Sequence, residues 1–321
     1  MVNEKILITG GNGYIGARLS LYLAQTGASV TPLCYPSVPT DQEWCNAMQD
    51  VQVGDVRDEE MLRKLAEHNG GFDTVIHLVS LDHRQSAGTP VDVAAVNITP
   101  TWSLLDIFSK AGLKKFIYFS TMQVYGALEP VNITEEHPPK PANAYAMTHW
   151  LGEQLCEYYN RTSNTQCRVV RLSNSYGAPI FMENNCWWLV INDLCRMAFH
   201  EGQITLLSDG TPQRDFIHGW DVCRAVEHII TAEQSEHPVY HISTGQTLTI
   251  LEIAQTIQQI YQNRYSRSLA LTKAPSNSNP VSSISARYRI DNQRLRELGF
   301  VAEWSLERGI HDLFDYLEQH Q

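Results

Sequence analysis

Apolar residues in the first half of the chain fall in short, nearly continuous runs, separated by segments with helical spacing. The runs cover residues 5–9, 29–34, 50–53, 74–79, 115–120 and 167–172. Each has strand length, and the lack of apolar–polar alternation predicts burial on both faces. Between the first two runs, Leu19 and Leu23 recur one helical turn apart, and helical patterns fill residues 91–111 and 145–160. Such strand–helix alternation predicts an α/β fold, a Rossmann-type doubly wound parallel sheet. From residue 176 the pattern changes. Loops around Pro179 and from Pro275 to Pro280 interrupt shorter helical patterns at residues 251–261 and 305–318. A smaller C-terminal substrate lobe is expected there, and the Ser/Asn/Pro-rich stretch 274–283 reads as a long loop. The expected division is 1–175 for the large-sheet domain, with 215–245 returning to it, and 176–214 plus 246–321 for the lobe. No internal repeat is visible.

The end of the first run carries the first chemistry. Lys5-Ile6-Leu7-Ile8 leads into Thr9-Gly10-Gly11-Asn12-Gly13-Tyr14-Ile15-Gly16, and a helical pattern follows. A strand, a glycine turn and a helix N-terminus point free N–H groups and the helix dipole at one spot, which suits an anion. A dinucleotide pyrophosphate is the ligand such a turn serves. The spacing is G-x-x-G-x-x-G rather than the commoner G-x-G-x-x-G, and the glycines alone fit an ordinary turn equally well. The strand before and the helix after them favour the cofactor.

Composition narrows the partners. A formal net charge of −11 over 321 residues argues against a nucleic-acid or anionic-membrane binder. No apolar run reaches the roughly 18–20 residues of a membrane span, and the start reads as a core strand rather than a leader. Seven cysteines are scattered without a C-x-x-C pair, which suggests reduced thiols and a cytoplasmic setting. The twelve histidines show no metal-ligand spacing, so no metal is expected.

Further motifs lie downstream: Gly54-Asp55-Val56-Arg57-Asp58, His77-Leu78-Val79-Ser80, Asn97, Phe119-Ser120-Thr121-Met122-Gln123-Val124-Tyr125-Gly126, Tyr145, Arg171-Leu172-Ser173-Asn174-Ser175-Tyr176-Gly177 and Arg214-Asp215-Phe216-Ile217-His218. In this order and spacing the chain resembles the extended short-chain dehydrogenase/reductase family, the nucleotide-sugar epimerases and dehydratases. The resemblance implies that Gly10, Gly13, Tyr14, Ile15 and Gly16 hold a dinucleotide. It implies that Asp55 bonds the adenine amine, that Val56 covers the ring and that Leu78 joins the cofactor site. Thr121 and Tyr145 would hold the reacting sugar oxygen. A phenol suits that role if its pKa falls from about 10. Asn174, Arg214 and Arg287 match residues that touch the nucleotide, its diphosphate or the sugar, and an arginine fork suits phosphate oxygens. Arg214 also fits an ion pair with Asp215 or Asp221, and Arg287 a solvated side chain. Trp187-Trp188 would stack a base or pack the lobe. Ser80, Asp82 and His83 follow the fourth run and would border the nicotinamide, although His83 fits a plain loop residue better. The family also implies a homodimer through helices near residues 99–110 and 145–160.

Three departures stand out. The family has Tyr-x-x-x-Lys, and this chain has Tyr145-Ala146-Met147-Thr148-His149. His149 shares a helix face with Tyr145, yet a histidine is largely neutral at pH 7 and lowers the phenol pKa less than a lysine does. It would still bond the cofactor as well as assist catalysis. Next, the acid that usually accepts from the adenosine ribose lies where this chain has Cys34 and Tyr35. NAD and NADP both stay open, with Arg57 a candidate for the 2′-phosphate or a plain loop arginine. Last, the family's 4,6-dehydratases carry Thr-Asp-Glu where this chain has Thr121-Met122-Gln123, and a thioether and an amide cannot exchange protons. The reading is therefore an NAD(P)-dependent epimerase or ketoreductase of a nucleotide-linked sugar. The alternatives are a catalytically impaired cofactor-binding member with a regulatory or structural role, and a reductase of a non-nucleotide carbonyl.

Overall fold

The computed structural model describes residues 1–128, 131–232, 237–274 and 287–320. The N-terminal part contains strands β1 (Lys5–Thr9), β2 (Ser29–Cys34), β3 (Gln52–Val53), β4 (Thr74–His77), β5 (Lys115–Thr121), β6 (Asn132–Ile133) and β7 (Gln166–Leu172). Its helices are α1 (Tyr14–Gln25), α2 (Gln42–Ala47), α3 (Glu59–Glu67), α4 (Pro90–Asn97), α5 (Thr99–Lys110) and α6 (Ala144–Thr162). There follow β8 (Asn174–Tyr176), α7 (Val190–Glu201), β9 (Gln203–Leu206), β10 (Gln213–His218), α8 (Gly219–Thr231), β11 (Val239–Ile242), β12 (Thr247–Thr249), α9 (Ile250–Tyr265), β13 (Ala270–Lys273), β14 (Arg289–Ile290), α10 (Gln293–Glu297) and α11 (Leu306–Gln319).

Seven strands form one parallel sheet in the order β11-β7-β5-β4-β1-β2-β3. Successive residues of β1 face opposite sides. Ile6 and Ile8 join the core under α1 and α8, with Leu19, Val226 and Ile229. Leu7 joins the other core, with Leu105, Phe108 and Phe116. This two-sided burial is why the strands lack polar alternation. Strand order reverses between β1 and β4, and parallel sheets take ligands outside the carboxyl ends of their strands at such a point. Thr9 Oγ1 and His77 Nδ1 meet there at 2.7 Å, and the Leu78 N–H donates to Thr9 Oγ1 at 3.3 Å.

The pattern over residues 91–111 resolves into two helices rather than one. Ile98, with φ −112° and ψ −57°, lies between α4 and α5, and Pro100 restarts the second because a proline fits the first helical turn but not an interior. The fourth run stops pairing at His77, so Leu78 and Val79 leave the ladder at the site. Residues 239–242 return to the large sheet as β11, and α8 packs on α1. A separate core of Ile191, Leu194, Ile253, Ile257, Ile310 and Phe314 builds the lobe. The small sheet β12-β10-β8 lies at its edge, and Tyr14 Oη, donating to Gly177 O at 2.9 Å, ties α1 to the loop after β8. The stretch 275–283, read as a loop, lies outside the described residues.

Candidate active site

The turn after β1 is set by two glycines. Gly10 has φ +71°, which favours glycine, and a Cβ at Gly16 would lie 2.1 Å from Gly10 O. Close approach of helix and turn therefore requires Gly16. Gly13 is the N-cap of α1, with no side-chain cap and no acid in the first turn. The leading N–H groups at Tyr14, Ile15 and Gly16 are left for a ligand, at the carboxyl end of β1. A Cβ at Gly13 would press on Gly10 O, at 3.1 Å, so the turn is tight there too. The donor set and the glycine cradle fit a dinucleotide's pyrophosphate.

Further along the edge, Val56 is buried and the half-buried Asp55 carboxylate is engaged by Arg57. Arg57 Nε donates to it at 2.9 and 3.0 Å, Nη2 at 2.5 Å, and the Arg57 N–H at 2.9 Å. The Arg57 bonds hold the Asp55 carboxyl below its usual range. Cys34 is buried, and desolvation pushes its thiol up to about 12. The half-buried Leu78 lies one residue beyond β4, and Gly10 faces Val79 there: a Cβ at Gly10 would lie 3.3 Å from Val79 Cγ2.

Thr121 ends β5, and its Oγ1 accepts the Gln123 N–H at 3.2 Å. Tyr145 enters from the first turn of α6, where Asn143 Oδ1 caps the Ala146 N–H at 2.8 Å. The structure places the Tyr145 side chain beside Thr121. Burial raises the Tyr145 phenol pKa; the Thr121 hydroxyl opposes that and the Asp82 charge adds to it. His149 lies against the same phenol, with ring centroids 4.2 Å apart, yet its Nδ1 bonds Tyr145 O at 2.8 Å. A carbonyl only accepts, so Nδ1 carries the proton and Nε2 is left as an acceptor. Burial drives the His149 pKa down to about 4. The lysine position thus holds a neutral ring rather than a cation. Met122 is buried in a small apolar cluster with Val124 and Ile133, away from proton chemistry.

Asn97, which the sequence marks only as part of a motif, proves to be a clasp. Its Oδ1 accepts the Leu81 N–H at 2.8 Å and its Nδ2 donates to Thr148 Oγ1 at 3.0 Å, joining the loop after β4 to α6. That loop holds Ser80, Asp82 and His83. Asp82 Oδ1 accepts the Arg84 and Gln85 N–H groups at 2.8 Å each, which fixes the carboxylate near Tyr145. The tryptophan pair divides. Trp187 packs on Tyr316 inside the lobe, whereas Trp188 faces His83, at 5.4 Å between centroids, and Arg84 across the two lobes. Nothing in the local sequence distinguishes the two.

On the lobe side, Asn174 Nδ2 donates to Asp215 O at 2.8 Å. Exposed Arg214 makes no ion pair among the described residues; it bonds Gln213 O at 2.7 Å. Asp215 is buried instead, accepts the Thr244 N–H and hydroxyl at 3.1 and 3.0 Å, and has its pKa raised to about 6 by desolvation. Arg287 is not a free solvated arginine: it bonds Thr247 O at 2.9 Å and Glu252 at 2.5 Å. Thr247 pairs with Asp215 and Leu248 with Arg214, so both arginines flank one strand pair. A concavity of about 890 Å³ lined by Lys114, Lys115, Tyr158 and Gln166 opens at the starts of β5 and β7, the opposite end from Thr121. It is no part of this site. Among the described residues no cluster of histidine, cysteine and carboxylates could hold a metal ion.

The model of the NAD dependent epimerase/dehydratase family matches residues 6–243. The chain belongs to that family. Among its relatives, the low-salt glycan biosynthesis protein Agl12 of Haloferax volcanii is 25% identical, covering 97% of each chain. A UDP-glucose 4-epimerase of Rhizobium meliloti is 27% identical over 81% of this chain and 83% of its own. In fold, the chain is like the UDP-glucuronic acid 4-epimerase from Bacillus cereus solved with UDP-glucuronic acid and NAD, with TM-score 0.79, 23% identity and coverage of 99% and 100%.

Proposed function

We propose that the protein uses NAD or NADP to exchange hydride at a carbinol carbon of a nucleotide-linked sugar, as an epimerase or a ketoreductase. The observation that carries this reading is the meeting of Thr121 and Tyr145 at the carboxyl end of β5, beside the glycine turn at the sheet's switch point. The family and the ligands named for its relatives support the substrate class. The nicotinamide, when bound, takes up hydride or returns it. Thr121 Oγ1 and Tyr145 Oη would hold the sugar oxygen between them. In oxidation the phenolate accepts the hydroxyl proton; in reduction the phenol returns it. Gly10, Gly13, Tyr14, Ile15, Gly16, Asp55, Val56 and Leu78 would hold the dinucleotide, and His149 Nε2 would accept a ribose hydroxyl. Asn174, Arg214 and Arg287 would face the diphosphate. Buried Met122 and exposed Gln123 disfavour a 4,6-dehydratase.

A neutral His149 favours a second reading, a member whose turnover is weak and whose role is binding. The experiment that separates them incubates the protein with NAD or NADP and a panel of nucleotide sugars, following product sugars by chromatography. Epimer or reduced sugar formed by wild type and not by Tyr145→Phe supports the catalytic reading. Cofactor binding without turnover on any sugar transfers support to the second.

A homodimer is the proposed assembly. Met147, Leu151 and Tyr158 lie on one face of α6 and are exposed, as is Trp102 on α5. Light scattering of the purified chain checks this. Seven free cysteines fit a reducing, cytoplasmic setting, and among the described residues no helix is long and apolar enough to cross a membrane.

A further inference from the structure

The dinucleotide reading leaves the choice between its two forms to the end of β2. A carboxylate there accepts from the adenosine ribose 2′-OH and repels a 2′-phosphate. In this chain β2 ends at Cys34, whose side chain is fully buried. The strand is closed over it: Cys34 O accepts the Gly54 N–H at 3.0 Å, and Cys34 pairs with Val53. The following residues, Tyr35-Pro36-Ser37-Val38-Pro39-Thr40, carry no acid. The first one, Asp41, is turned to α2, where it caps the Trp44 N–H at 2.9 Å.

The segment is also fixed in place. Asn12, inside the glycine turn, accepts the Tyr35 N–H at 3.3 Å and donates to Tyr35 O at 3.0 Å. Exposed Tyr35 therefore lies beside the turn that would carry the pyrophosphate. Its phenol neighbours the Arg57 guanidinium. Arg57 spends Nε and Nη2 on Asp55, so that carboxylate already has a cation across it. The Arg57 side chain keeps 53% of its surface in solvent.

We propose that this edge takes the 2′-phosphate of NADP, with Arg57 and Tyr35 as its ligands, and that the chain does not select NAD over NADP. A neutral thiol neither repels the phosphate nor bonds the ribose. Arg57 is an exposed cation at this edge, and its guanidinium has five donors, enough to serve Asp55 and a phosphate together. An arginine–phosphate bond is charge-assisted and directional.

Binding of NAD and of NADP to the full chain, measured by calorimetry without any sugar, tests this. In wild type the two dissociation constants should lie within about tenfold of each other. Arg57→Ala should weaken NADP by about tenfold or more, the scale of one charged hydrogen bond, and leave NAD within about threefold. Cys34→Asp should shift preference to NAD. Because Cys34 is buried, Arg57→Glu at the exposed position is the second variant, and it too should weaken NADP selectively. NAD bound more than about tenfold tighter than NADP by wild type overturns the proposal and leaves the cofactor reading standing. So does equal weakening of both dinucleotides by Arg57→Ala. Binding of neither dinucleotide overturns both.

Discussion

At the glycine turn the groups that would meet a ligand are main-chain N–H groups, whereas at the β10–β12 edge they are the ends of Arg214 and Arg287. The first set is fixed by Gly10, by Gly16 and by the register of β1 between β2 and β4. The second set consists of two exposed side chains, Arg287 committed to Glu252 and Arg214 bonded to Gln213 O. A backbone site tolerates changes in most side chains and so marks a whole family. A side-chain site changes with single substitutions, which is how one sheet serves many sugars.

The comparison breaks most completely at Gly13. A valine there fills the cradle and presses only on the turn's own Gly10 O, so Gly13→Val should abolish dinucleotide binding, with the circular-dichroism spectrum retained. Unchanged affinity would place the cofactor elsewhere.

Acid is the next largest lever, and it acts on the sheet rather than on the lobe edge. His77, His149 and His241 are buried and neutral, with pKa values lowered to about 3, 4 and 3. Each has a folded pKa below the unfolded value of about 6.5. Their stabilisation is therefore present above pH 6.5 and lost as pH falls toward 4 and 3, by about 1.4 kcal/mol per pKa unit as an upper scale. Asp215, raised to about 6, and Glu135, raised by burial, work in the opposite sense, whereas His218, lowered by burial, adds to the three histidines. Denaturant titrations at pH 7 and pH 4.5 should show a lower midpoint at the acid end; equal midpoints would contradict the buried neutral assignment.

Tyr145→Phe should cut turnover by about 10²–10⁴-fold, the usual weight of a general acid–base, with dinucleotide affinity little changed. His149→Lys, which restores a cation beside the phenol, should raise wild-type turnover and move the pH optimum toward neutrality. Full turnover in Tyr145→Phe would remove this residue from the chemistry. The smallest effects belong to the lobe edge. Arg214→Ala should weaken nucleotide-sugar binding about tenfold, and Arg287→Ala less, because Glu252 already neutralises Arg287. Equal affinity in both variants, measured by calorimetry, would move the diphosphate off this strand pair.

Much of the fold was legible in local spacing. Continuous apolar runs announced strands buried on two faces, and the glycines between β1 and α1 announced the turn. Boundaries were less legible. Nothing in residues 91–111 but Pro100 hints that the helix restarts, and the unpaired stretch after His77 reads as apolar as the strand before it. Among site residues, Thr121 and Tyr145 were readable from their motifs, 24 positions apart in sequence. Asn97 had a motif but no visible task, since its two partners, Leu81 and Thr148, lie far off along the chain.

The amino-acid sequence by itself determined the periods: which segments become strands, where the chain must turn at glycine, and that His149 shares a face with Tyr145. These follow from interactions within a few residues. Only the tertiary structure decided that Trp187 packs on Tyr316 while Trp188 faces His83 in the loop after β4, and that Arg287 is held by Glu252. It also decided that His149 is neutral and turned back to a carbonyl. Those outcomes depend on which distant groups burial brings together, and on desolvation, which no local pattern encodes.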